Sequence, residues 1–327
     1  MFAKKDPATG DDNTGEKSPR FFDRALKWVT ALTAIISLFF AVQKVTQTVA
    51  DNTARTQQIA ELLRVATMQQ QAMDYSRAWD SLATASQMAA AGDAFAQLLY
   101  PRTAENAKIQ TQREDLAMAW LMNAQAMNGK GFSDIVDKLV PVLERGTGSA
   151  APQRKADLLA HIGWSYFLRS RDGYNNFDPS QQYAQAIALD PENPFANAYW
   201  GHWILWQGGD IDAANAHFAE AMHSNREHDG VRYMQLVAFS NAGARGEPGY
   251  IKTVMEMMNS GETISDTTRS IARRVLEGAC SKYGESDLAR LKAQIPIADL
   301  VSMYKQLSAQ TTPEEMPQRN ECLARLK

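Results

Sequence analysis

From Trp28 to Val42 the chain reads Trp-Val-Thr-Ala-Leu-Thr-Ala-Ile-Ile-Ser-Leu-Phe-Phe-Ala-Val, a stretch without a single charge. No other segment of the 327 residues is apolar enough to enter a bilayer. A spanning helix needs ~20 residues. Adding Ala25 to Lys27 and Gln43 to Val45 brings the stretch to 21, because lysine stems lie along hydrocarbon while their ammonium groups reach the interface. Residues 25–45 are therefore predicted to form one transmembrane helix, with Lys27, Trp28 and Lys44 at its boundaries. The remainder is polar and patterned for helices, so the chain reads as a soluble domain on a single membrane anchor.

Positively charged flanks are retained on the cytoplasmic side of a membrane. Lys4, Lys5, Lys17, Arg20, Arg24 and Lys27 precede the anchor, whereas only Lys44 and Arg55 follow it before Arg64. The N-terminus is expected in the cytoplasm and the domain across the cell inner membrane, which in a bacterium means the periplasm. A cleaved signal peptide shares the basic-then-apolar pattern. Its nearest small-x-small site, Thr48-Val-Ala50, lies well beyond the apolar core with Lys44 in between, which favours an uncleaved anchor. Residues 1–24 are expected to be a disordered tail, and residues 46–58 a linker.

Beyond the linker, Ala, Leu, Gln, Met and Glu are abundant and apolar residues recur at three and four, the helical period. An all-α domain follows. Several segments share one pattern: a helix with a small residue at its close-packing point, a Gly/Asp turn, then a helix with Ala and a large apolar residue at fixed offsets. The clearest begins Leu159-x2-Ile162-Gly163-x2-Tyr166 and continues with Tyr183, Ala186, Leu189 and Asp190-Pro191. The next opens Trp200-Gly201-x2-Ile204, turns at Gly208-Gly209-Asp210, and ends Ala214-x3-Phe218-x2-Ala221. Upstream, Ala66 with Tyr75, Ala78, Leu82 and Ala85, and Asn123 with Phe132, Ile135, Leu139 and Val142, fit the same frame. A fifth pair, Tyr233 to Ala242 and Gly249 to Met258, keeps the helical shape with little of the signature.

This pattern resembles the tetratricopeptide repeat (TPR) family over roughly residues 57 to 260. Leu159 stands where that family has tryptophan and Pro179 where its second helix opens with alanine. The resemblance implies a degenerate TPR-like solenoid of helical hairpins over 59–260, since each pair is too small to bury its own apolar face and must stack on the next. Residues 261–327 are expected to be a C-terminal helical cap.

In that family the first helix of each pair lines a concave groove that holds peptide segments. Counting from the small residue of each unit turns Trp120, Trp164 and Phe167 toward such a groove. Tyr199, Trp203 and Trp206 join them if the extra residue of the fourth unit lies in its first helix, and His202 with Trp206 if it lies in the turn. Aromatic side chains dominate interface energetics, so this set is the candidate partner-binding site. The same spacing also describes a repeat core, and both readings stand at this point.

Cys280 and Cys322 are the only cysteines. In an exported domain they are candidates for one disulfide; two buried thiols are the other reading. No Cys-x2-Cys pair exists, and His217, His223 and His228 lack the i, i+4 spacing of a helical zinc site. No metal or cofactor is expected. A net charge of −3 gives no footprint for nucleic acid. Gly-x-Ser-x-Gly and phosphate-loop motifs are absent, so an enzyme is not expected. The expected function is an adaptor that binds a protein or peptide partner and holds it at the membrane. The alternative is a ligand-sensing membrane effector or regulator that oligomerises through its anchor, where Thr30, Thr33 and Ser37 offer small hydroxylated contacts.

Overall fold

In a computed structural model the described residues are 19–91, 101, 103–128, 131–173, 177–224, 226–309 and 312–327. Among them the secondary structure is entirely helical, with fourteen α-helices and no strand. The first, α1 (Pro19–Gln71), is one uninterrupted helix of 53 residues. Residues 1–18 of the expected tail lie outside the described residues, and 19–24 already belong to α1. Residues 46–58, expected as a linker, are helical throughout. The reason is local: no Gly or Pro occurs between Pro19 and Gln71, and nothing in the stretch frees the backbone from its i→i−4 ladder.

The chain then turns through Met73, at φ 59°, into α2 (Tyr75–Ala90), whose N-terminus is capped by the Asp74 carboxylate accepting from the Arg77 amide. Ile59, Leu63 and Ala66 of α1 and Ala78, Trp79, Leu82 and Ala85 of α2 are buried in one core, and the two helices pack on each other. Next come α3 (Thr103–Asn128) and α4 (Ser133–Thr147), α5 (Pro152–Arg171) and α6 (Ser180–Leu189), α7 (Pro194–Trp206) and α8 (Ile211–His223), and α9 (His228–Asn241) and α10 (Glu247–Ser260). Each helix of these pairs packs on its mate, and α3, α5, α7 and α9 also pack on one another in that order.

Close approaches within pairs rest on small residues. A Cβ on Gly163 would stand 2.5 Å from the Tyr183 ring, and one on Gly201 would stand 3.0 Å from Phe218. Helix starts carry side-chain caps at Asn193, Asp210 and Ser265. Asp172, at the end of α5, caps α4 from outside, accepting from the Gly131 and Ser133 amides at 3.0 and 2.9 Å.

The C-terminal region is four helices, α11 (Asp266–Ala279), α12 (Glu285–Gln294), α13 (Ile297–Leu307) and α14 (Met316–Leu326). Helix α11 packs on α10 and on each of the other three. Leu276, Leu291, Leu300 and Leu326 are fully buried there.

Candidate functional site

The apolar part of α1 is bare on every face. Trp28 is 77% exposed, and Leu32, Ile35, Leu38, Phe39 and Phe40 are each about as open as an isolated helix allows. Contiguous apolar surfaces of this extent mark contact with a membrane or with another protein. Its polar groups are already satisfied: Thr30, Thr33 and Thr46 donate to the carbonyls of Leu26, Val29 and Val42, each at 2.8 Å. Hydroxyls bonded within their own helix are tolerated in hydrocarbon. Among the described residues α1 alone is long and apolar enough to cross a membrane.

The aromatic residues expected in a groove are mostly core. Trp164, Phe167 and Tyr199 expose no more than 2% of their surface. Trp164 stacks on Phe167 and on Tyr199, both at 4.6 Å between ring centres. Trp120 is buried, stacked on Tyr75 at 6.2 Å, with the Lys138 ammonium 5.3 Å from its ring. His202, the alternative in the other register, is buried edge-on to Phe167 at 4.7 Å. Trp203 is half-buried and meets Phe167 at 6.2 Å. Only Trp206 keeps an open ring, at 41% exposure, with the Arg171 guanidinium 5.6 Å above it. The correction has a packing cause. Helices α5 and α7 approach closely enough for their rings to interleave, which fills the face that the repeat count turns toward a groove.

Below the aromatic stack lies a buried polar network. The His161 Nδ1–H donates to the Asp157 carbonyl at 2.7 Å, leaving Nε2 to accept the Tyr199 hydroxyl at 3.2 Å. The Asp157 carboxylate accepts from Asn193 at 2.7 Å and from Arg226 at 3.1 Å, and Arg226 also reaches Asp190 at 3.0 Å. Burial pushes the Asp157 carboxyl up, against the pull of Asn193 and Arg226. Burial likewise pulls His161 down to about 4 and His202 down to about 3, so both rings are neutral at neutral pH. This network joins α5, the α6–α7 turn and the segment before α9. Its bonds cross-link three helix pairs.

The other histidines are dispersed. His217 stacks on Trp200 at 4.8 Å and bonds Asn197, His223 pairs with Glu220, and His228 bonds the Ser224 carbonyl. Among the described residues no group of three His, Cys, Asp or Glu is placed to hold a metal ion. Cys280 and Cys322 are joined in a disulfide, S–S 2.08 Å, which ties α14 to the end of α11.

An open cleft of about 470 Å³ lies between α9, α10 and α11, lined by Tyr233, Leu236, Val237, Ser240, Asn241, Tyr250, Ser265, Thr267, Thr268 and Ile271. It is connected to the aromatic core through Asn241, whose amide donates to Nε2 of His202 at 3.3 Å. Sequence reasoning missed this site because its fifth helix pair carries little of the repeat signature. The available signal was Tyr233 itself, a large aromatic that α9 leaves 47% exposed. A second cavity of about 340 Å³, between α8, α9 and α10, is different in kind. Arg232 on its wall is tied to Glu256 and Glu262.

No protein-family model matches the chain, and neither a curated protein nor a solved structure does.

Proposed function

We propose that this protein is a membrane-anchored adaptor: α1 spans the cell inner membrane once, and a TPR-like array of helix pairs binds a protein or peptide partner beside the bilayer. The observation that carries the reading is the uncovered apolar surface of α1, on the same unbroken helix that packs into the domain through Ile59, Leu63 and Ala66. The ordered pairing of α1–α2 through α9–α10 supports the repeat reading. Because residues 46–58 are helical, the anchor runs into the domain without a break, and contact with the domain begins inside this stretch, where Arg55 donates to the Ala91 carbonyl and the Thr56 hydroxyl reaches Glu105, so the domain is kept in a layer beside the bilayer. Confinement to such a layer raises the effective concentration of a bound partner without any new contact.

The Lys/Arg asymmetry favours a cytoplasmic N-terminus and a periplasmic domain. A Cys280–Cys322 bond is at home in that oxidising compartment. In this reading the domain binds rather than catalyses: His161 and Tyr199 are bonded to each other, and the Asp157 carboxylate to Asn193 and Arg226. The rival reading, self-association through the anchor, would have to use Thr30 and Thr33 as small residues and acceptors, since their protons are bonded within α1. A reporter active only after export, fused at the C-terminus, is expected to be active. A silent exported reporter with an active cytoplasmic one would reverse the orientation.

A further inference from the structure

Where α2, α3 and α4 meet, three cations gather around one buried indole. The Arg113 guanidinium of α3 lies 4.8 Å from the centre of the Trp79 ring, and the Lys138 ammonium of α4 lies 5.7 Å from the same ring. Arg145, further along α4, is exposed and near enough for its charge to act on Arg113.

This group is short of carboxylates. Asp80, 4.0 Å from Lys138 and largely exposed, is the only one in contact with it among the described residues. The acids of the neighbouring turns are committed elsewhere: Glu114 and Asp115 pair with Arg154, Asp137 pairs with Arg169, and Glu144 acts on Tyr166. Neither Arg113 nor Arg145 has a side-chain hydrogen bond or an ion pair among the described residues, and the Arg113 Nε is buried without an acceptor. A buried donor left unmet is unfavourable, and so are two guanidinium groups that repel each other. Burial, and after it the charge of Arg145, pull the Arg113 guanidinium below its usual value.

We propose that Arg113, Lys138 and Arg145 form a binding site for a phosphate monoester. A guanidinium stacked on an indole presents its N–H edge outward, and that edge matches an oxyanion two bonds at a time. With Asp80 alone in contact, the group carries an excess of two positive charges. A phosphate monoester is largely a dianion at neutral pH, since its second pKa is about 6, whereas a carboxylate would answer only half of the excess. The same chemistry is offered by a soluble phosphate ester and by the headgroup of phosphatidic acid in the bilayer beside α1. The site does not rest on the adaptor reading, and either can fail without the other.

The test is calorimetric titration of glycerol 3-phosphate into the full chain in phosphatidylcholine nanodiscs, at constant ionic strength, with empty nanodiscs subtracted and glycerol as the uncharged control. One saturable site is expected, with a dissociation constant of about 1 mM or tighter, together with a ligand-dependent rise in melting temperature. Arg113→Gln and Arg145→Gln are each expected to weaken binding at least about tenfold. Arg145→Gln, at an exposed position, should do so with an unchanged melting temperature in the absence of ester. Arg77→Gln, which removes an exposed arginine on α2 that pairs with Asp74, should leave binding unchanged. A second set of nanodiscs contains phosphatidic acid, and a third contains phosphatidylserine at the same charge. Loss of ester binding with phosphatidic acid alone identifies the headgroup as occupant, and equal binding in both identifies a soluble ester. Absence of saturable ester binding to the phosphatidylcholine discs, or binding indifferent to both Arg113→Gln and Arg145→Gln, would overturn the assignment.

Discussion

The indole N–H of Trp164 donates to the main-chain carbonyl of Leu121, 3.0 Å away, and so binds α5 to α3 at the centre of the aromatic stack. A tryptophan held in this way is a packing element with a satisfied polar tip, and its ring is inaccessible to any partner.

Trp164→Ala should therefore cost ~3–5 kcal/mol, because it leaves a cavity at the centre of the stack. Trp206→Ala, at an exposed ring, should cost less than ~1 kcal/mol. Denaturant unfolding of the two variants side by side measures the difference. A loss at Trp164 as small as that at Trp206 would show that its ring is not part of the core.

Acid should loosen the same region. Unfolded, His161 and His202 titrate near 6.5; folded, burial holds them at about 4 and about 3. Above the unfolded value neither state binds the proton, and stability is flat in pH. As pH falls below it the unfolded chain takes up protons that the folded chain refuses, so each ring removes stability by up to ~1.4 kcal/mol per pH unit until its folded pKa is reached. Asp157, raised by burial, acts in the opposite direction in the carboxylate range. His161→Gln should flatten the fall measured by urea unfolding between about pH 7 and pH 5. An unaltered slope would show that His161 is not held neutral by the fold.

Fold class was legible in the sequence because the 3.6 period and the absence of alternating β-branched runs depend only on neighbouring residues. The helix pairs around Gly163, Gly201 and Ala214 were legible for the same reason, since a small residue opposite a large one is a local signal. Whether Trp164 and Tyr199 face a groove or a core is not local. It depends on how closely α5 and α7 approach, and the Asp157–Arg226 pair that helps set this joins residues 69 apart. That residues 46–58 continue α1 is less legible, because they lack a hydrophobic stripe; their helix extends one already nucleated on both sides, and their contacts, such as Arg55 with the Ala91 carbonyl, join residues 36 apart.

The Cys280–Cys322 bond closes a loop of 42 residues that takes in α12, α13 and the first part of α14. Removing it by Cys280→Ser should cost ~2–5 kcal/mol, concentrated in the C-terminal helices. Thiol labelling before reduction should find no free cysteine in the native protein. Quantitative labelling of both would place the domain in a reducing compartment and count against export.

Whether α1 holds the domain in a bilayer is tested most directly by alkaline carbonate washing of membranes, because this treatment strips peripheral proteins and leaves spanning ones. The intact chain should stay with the membranes, and a variant with Ile35, Leu38 and Phe39 all replaced by Asp should be released or fail to insert. Recovery of the intact chain in the alkaline wash would contradict the account.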